Sequence, residues 1–270
     1  MPEGDTIHRT AAAMRRGLLG HALTRVEVPR ARTQLPAVGA RVVRIEARGK
    51  HLLVTTSDDR VIHTHQRMTG AWHLYRPRER WRKHAGSARV VLGTEQLTAV
   101  CFAAPIVEVL DVAALRRHPT LRALGPDLCD PAADIGEVQR RIDRIVPPDR
   151  SIGEVLLDQR VACGIGNVYR CDVLFIHGID PATPVGSIAQ PTRRALLIDA
   201  ARLLQANLLG TDRTTVPGAP GGSLWVHGRG GAPCRRCETP IVVERLGEQA
   251  RYVYRCPRCQ PRWASRPATG

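Results

Sequence analysis

A chain of 270 residues, 43% of them hydrophobic, is long enough for two domains that each bury a core. Forty basic residues against 25 acidic give a formal charge of +15, which favours a polyanionic partner through counterion release, with nucleic acid first and a ribosomal or membrane surface as alternatives. No stretch approaches 18 consecutive apolar residues, and the N-terminus lacks a charged flank followed by an apolar core. These features argue against a spanning helix or secretory signal, and a cytoplasmic, nucleoid-associated protein is expected.

The chain opens Met1-Pro2-Glu3. Removal of Met1, expected before so small a residue, leaves Pro2 with a free secondary amine. An α-amino group titrates roughly two units below a lysine, so Pro2 reads as a nucleophile with Glu3 as a proton shuttle, or simply as a frayed end. From Asp5 to about Leu19, Ile7, Ala11, Met14 and Leu18 recur every three to four residues, which predicts an amphipathic helix capped by Asp5 or Thr6 and stopped at Gly20. Short β-branched runs follow at Arg25–Val28, Arg41–Glu46, His51–Thr55, Val61–His65, Ala71–Leu74, Arg89–Leu92, Leu97–Phe102 and Ile106–Leu110. Their spacing suggests a β-sandwich or barrel.

Among the 40 basic residues only Lys50 and Lys83 are lysines. Arg48-Gly49-Lys50 places Lys50 at a strand end, where a compact, deprotonatable ammonium fits phosphate contact or a salt bridge equally well. The run His65-Gln66-Arg67-Met68-Thr69-Gly70 forms a strand-end tip in which Met68, taken alone, reads as a core residue. The loop Arg76–Lys83 suits either a place near nucleic acid or a solvated hairpin tip.

Proline and glycine mark 113–133 as a linker. Helices are expected at about Ile135–Ile145, Ser151–Leu157, Gly166–Phe175 and Pro191–Leu209, with Pro147-Pro148 forcing a break. Gly164-Ile165-Gly166-Asn167 opens a helix and is too short for a dinucleotide fingerprint, so its exposed amides suit an anion, or Asn167 is an ordinary cap. Gly210–Gly222 reads as a connector. Cys234-x2-Cys237 and Cys256-x2-Cys259 then stand at the two ends of a Val-rich hairpin, a spacing that makes one structural, four-thiolate zinc ribbon. The remaining Cys101, Cys129, Cys163 and Cys171 read as buried thiols.

The opening Pro2-Glu3-Gly4-Asp5-Thr6, the Gly-Lys of Lys50, the Gly164–Tyr169 run and the four terminal cysteines together resemble the formamidopyrimidine-DNA glycosylase and endonuclease VIII family of base-excision repair enzymes. Gly4 in place of leucine, the lack of an Arg-Arg-Phe-Gly-like loop near Ala103–Pro105 and the short connector before Trp225 are similar to the endonuclease VIII branch, in an actinobacterial form. The resemblance implies an α+β chain of an N-terminal helix and β-sandwich (2–112), a linker (113–133), a helix-two-turns-helix domain (134–220), a zinc ribbon (221–262) and a tail (263–270). It implies a monomer with damaged duplex DNA, or single-stranded DNA as the alternative, in the cleft between its domains.

By the same resemblance, Pro2 is the nucleophile that forms a Schiff base at the anomeric carbon, Glu3 moves protons and Lys50 supports them. Arg67, Met68 and Thr69 fill the gap left by a flipped nucleotide, and Asn167 and Arg251 grip phosphate. The activity implied is glycosylase plus lyase on oxidised bases, pyrimidines favoured, with β,δ-elimination. Relatives commonly carry glutamate where Thr6 stands, so the alternative is a catalytically impaired zinc-ribbon DNA-binding protein.

Overall fold

The structure is a computed structural model that describes residues 2–210, 212–219 and 221–263. Met1 and all but the first residue of the 263–270 tail lie outside the described residues. The chain divides into two compact units, 1–123 and 124–270.

The first unit opens with helix α1 (Gly4–Leu18), which buries Ile7, Ala11, Met14 and Leu18, the stripe its periodicity predicts. Its N-cap is Glu3, one turn earlier than expected from Asp5 or Thr6. Glu3 and Thr6 close a reciprocal capping box, so Thr6 acts as the third helical residue. Two antiparallel four-stranded sheets follow. One orders β1 (Arg25–Glu27), β6 (Ala88–Gly93), β7 (Thr98–Phe102) and β5 (Ala71–Tyr75); the other orders β2 (Val42–Arg48), β3 (His51–Thr56), β4 (Arg60–His65) and β8 (Ile106–Asp111).

Alternation puts Leu52, Val54, Ile62 and Val109 of one sheet against Val90, Leu92, Ala99 and Cys101 of the other, with α1 completing this core. On the opposite face of the β1-β6-β7-β5 sheet, Tyr75, Val91, Val100 and Phe102 form a second cluster under Trp81. The loop Arg76–Lys83 is therefore anchored through Trp81, over which the Arg25 guanidinium lies 5.4 Å from the ring centroid.

The expected linker contains two short helices, α2 (Val112–Arg117), capped by the Asp111 side chain at 2.6 Å from the Ala114 amide, and α3 (Pro119–Ala123). The second unit gathers α4 (Ile135–Ile145), α5 (Ile152–Val155), α6 (Asn167–Ile176) and α7 (Gln190–Ala206) around Val138, Ile142, Tyr169, Val173, Leu196 and Leu204. The second predicted helix shortens to the four residues of α5. The antiparallel hairpin of β9 (Val242–Leu246) and β10 (Arg251–Arg255) packs its own small core, Val226, Ile241 and Val253, against Cys171 and Phe175 of α6. Cys101, Cys129, Cys163 and Cys171 are buried thiols. No helix among the described residues is long and apolar enough to cross a membrane.

Candidate active site and metal centre

In the first unit Glu3 is fully buried at the start of α1, and its amide donates to the Thr6 hydroxyl at 3.5 Å. Pro2 stands immediately before this cap, half-buried. Lys50 occupies the two-residue turn between β2 and β3, opened by Gly49 at φ +55°. Burial, followed by the charges of its neighbours, holds His51 down at about 2; burial, then the Lys50 charge, holds His65 at about 4. Lys50 is thus set among imidazoles that stay neutral.

Residues 66–70 form a tight turn after β4. The Gly70 amide donates to the Gln66 carbonyl at 2.8 Å, and a Cβ on Gly70 would lie 2.8 Å from that oxygen and 2.9 Å from the Ala104 Cα, so only glycine closes it. Arg67 takes a left-handed φ of +45°, Thr69 donates to the Ala103 carbonyl at 3.0 Å, and Met68 points outward at 67% exposure. The core reading of Met68 is therefore wrong. An apolar side chain at a turn apex has no sheet face to return to.

Local pattern did not reveal an imidazole network on the β2-β3-β4-β8 sheet, on the face opposite the sandwich core. Cross-strand register sets His51 opposite His65 and His63 opposite Glu108. His63 Nδ1 lies 2.7 Å from Glu108 Oε2; a carboxylate only accepts, so this nitrogen carries the proton. His63 Nε2 then accepts from His51 Nδ1 at 2.8 Å. His118 Nδ1 accepts from the Leu121 amide, which leaves its Nε2 proton for Glu108 at 3.0 Å. Burial pushes the Glu108 carboxyl up, but the two imidazole donors outweigh it and hold it below the usual range. The signal in the sequence was His63 and His65 two residues apart in one strand.

In the second unit Asn167 is the first residue of α6, nearly buried, after a loop in which Gly164 adopts φ +106°. Gln159 pins that loop: its Oε1 accepts from the Gly164 amide at 3.1 Å and its Nε2 donates to the Ile165 carbonyl at 3.1 Å. Arg251 opens β10 and is exposed. A polar cleft of about 310 Å³ is lined by Gln159, Arg160, Arg170 and Arg251 among others. The structure thus sets the exposed Arg251 at the cleft whose wall the buried Arg170, one turn after Asn167, helps to form.

Cys234, Cys237, Cys256 and Cys259 converge with all four sulfurs within 4.8 Å of one another and could hold a metal ion. Their recorded separations are 3.4 Å for Cys237–Cys256 and Cys237–Cys259 and 3.9 Å for Cys234–Cys259. Backbone amides of Arg236 and Cys259 point at Cys234 and Cys256 sulfurs, both at 3.4 Å, which favours thiolates there.

Two family models match the chain, the formamidopyrimidine-DNA glycosylase N-terminal domain over residues 1–105 and the formamidopyrimidine-DNA glycosylase H2TH domain over residues 124–217. The chain is also 40% identical over 265 residues to the DNA-(apurinic or apyrimidinic site) lyase Nei2 of Mycolicibacterium smegmatis, across 96% of this chain and 99% of that one. It belongs to the formamidopyrimidine-DNA glycosylase family. Endonuclease 8 2 of Mycobacterium tuberculosis is a further family member, 40% identical over 271 residues that cover 96% of this chain and all of that protein. The family fold is matched in a solved complex of Lactococcus lactis Fpg with DNA containing an abasic site, with a TM-score of 0.79 and 21% identity over 97% of this chain and all of that one.

Proposed function

We propose that this family member is a bifunctional DNA glycosylase and AP lyase of base-excision repair, acting on damaged DNA with oxidised pyrimidines favoured. The observation that carries the reading is the 40% identity, over 96% of the chain, to a protein described as a DNA-(apurinic or apyrimidinic site) lyase. The pyrimidine preference rests on Gly4 and on likeness to relatives described as endonuclease 8.

In this reading the Pro2 nitrogen, freed of Met1, attacks the sugar C1′ as the glycosidic bond breaks and the base departs with a proton. The sugar ring then opens, C1′–O4′ breaking as O4′ takes a proton, and the nitrogen lone pair closes the C1′=N bond of an iminium. Its electron withdrawal acidifies the C2′ proton, whose loss expels the 3′-phosphate; a second elimination expels the 5′-phosphate. Pro2 precedes the N-terminus of α1, where the aligned peptide dipoles of the helix raise the local potential. That potential disfavours the protonated amine and so favours the nucleophile. Glu3 moves the protons. Lys50 supports sugar and phosphate, Arg67, Met68 and Thr69 fill the vacated stack, and Asn167 and Arg251 hold the backbone.

The four cysteines fit one structural zinc ion. A tetrahedron of thiolates about 2.3 Å from zinc has edges near 3.8 Å, close to the 3.4–3.9 Å recorded here. Four protein ligands leave no open position, so the ion would stabilise the hairpin and take no part in the reaction.

Borohydride trapping on DNA carrying an oxidised pyrimidine tests the reading. The processed protein is expected to crosslink, an N-terminally extended form to lose the crosslink, and Lys50→Ala to weaken it. A crosslink that survives extension but vanishes with Lys50→Ala transfers the chemistry to Lys50. No crosslink on this or an abasic substrate, with duplex binding intact, makes the chain a non-catalytic DNA-binding protein.

A further inference from the structure

Arg170 has the largest side chain among the fully buried residues, a place a guanidinium rarely occupies. It is the fourth residue of α6, one turn after Asn167. Its Nη2 donates to Asn167 Oδ1 in a very short hydrogen bond and to the Tyr252 carbonyl at 2.7 Å, and its Nη1 reaches the Gly153 carbonyl at 3.4 Å. One side chain therefore joins the start of α6, α5 and the ribbon strand β10 at the residue after Arg251.

The chemistry of this contact decides which way Asn167 faces. A guanidinium has donors and no acceptor, so the end of the Asn167 amide that meets it is the carbonyl. The two Nδ2 protons are thereby turned away from Arg170, as donors at the helix N-terminus, where the α6 amides also favour an anion. The bond to the Tyr252 carbonyl holds the adjoining Arg251 backbone to the same guanidinium. A lysine could keep the charge, but its ammonium lacks the planar fork that spans separated oxygens in fixed geometry.

We propose that Arg170 is a positioning residue for DNA: it sets the amide orientation of Asn167 and the seat of Arg251, so that the two act as one phosphate grip. The inference rests on the proposed assignment of Asn167 and Arg251 to phosphate. It assigns to Arg170 no contact with the reacting atoms.

The test is a double-mutant cycle of Arg170→Lys and Asn167→Ala in the full-length, metal-loaded protein, read as equilibrium affinity for an abasic-site duplex at fixed salt. Arg170→Lys alone is expected to weaken binding about tenfold, the order set by losing a charged hydrogen bond, and by only about threefold when Asn167 is already alanine and the seat of Arg251 alone is left to lose, since coupled residues do not add. A purely structural role for Arg170 gives the same loss in both backgrounds and overturns the proposal. If Asn167→Ala leaves affinity unchanged, the phosphate assignment itself fails and the proposal with it.

Should Arg170→Lys not fold, the unmodified protein gives the answer. Inorganic phosphate is titrated while the Asn167 side-chain amide is followed by nitrogen-15 NMR. A shift of both Nδ2 protons supports the oriented amide. No shift, while the Arg251 resonances move, rejects it.

Discussion

The family resemblance sets Thr6 at a position where glutamate is expected, and the structure gives the threonine a physical role. In the usual capping box a hydroxyl residue caps and a glutamate three positions on reaches back; here Glu3 caps and the Thr6 hydroxyl reaches back. The exchange keeps the reciprocal hydrogen bonds that hold Glu3 at the helix start. Thr6→Ala is expected to cost about 1 kcal/mol of stability and to slow single-turnover base release, whereas Thr6→Glu should retain most of both, because glutamate is a competent partner at that position. Chemical denaturation and rapid-quench kinetics on the same preparations check this. If Thr6→Ala leaves stability and rate unchanged, the box has no such role.

Other single residues show what the sequence withholds. The place of Met68 depends on the turn that Gly70 closes, and side-chain type alone points the wrong way. Arg170 was unreadable for a different reason. Its principal partners are Asn167, which is local, and Tyr252, 82 residues away.

Elements with strong internal periodicity were legible. The stripe of α1 and the eight short strands follow from alternation and turn residues, since burial on one face imposes the pattern. Helices α2, α3 and α5, at four to six residues, were missed or overextended, because helices that short draw their stability from packing and caps that a local window does not contain. The imidazole network belongs to sheet register: His63 and Glu108 are 45 residues apart and meet only because β4 pairs with β8.

That network predicts an acid sensitivity of the first unit. His51, His63 and His65 are all held below the ordinary histidine range, first by burial. The unfolded chain takes up protons near pH 6.5 that the folded one refuses, so their stabilisation is fully present above that pH and is lost as acid is added. Each imidazole that refuses its proton should lower stability by about 1.4 kcal/mol per pH unit below 6.5, down to its folded value of about 4 for His65 and about 2 for His51. Denaturant titrations at pH 7, 6 and 5 should show the loss, reduced in His51→Phe. Stability independent of pH across this range would remove the neutral network from the account.

At the scale of the molecule, the chain consists of two sequence-contiguous units whose hydrophobic clusters share no residue. Only the second contains the four converging cysteines. A strong chelator should therefore lower the melting temperature of the second unit while leaving that of the first unchanged, with loss of duplex binding. Calorimetry with and without chelator, with bound metal counted by atomic spectroscopy, makes the comparison. One bound ion per chain is expected, and a chelator-resistant second transition contradicts a metal-dependent ribbon.

Helix α6 has one further consequence. Asn167 begins it; Arg170, Cys171 and Phe175 meet the ribbon; and Asp172 accepts from the amides of Trp225, Val226 and His227 at 2.9–3.0 Å. These roles are spaced along little more than two turns of one rigid rod. Exchanging a side chain there removes one contact, but inserting or deleting a single residue turns everything beyond it by about 100°. Across the ten residues of α6, drift in sequence can be absorbed one position at a time, while a change in length would disconnect the start of the helix from the ribbon in a single step.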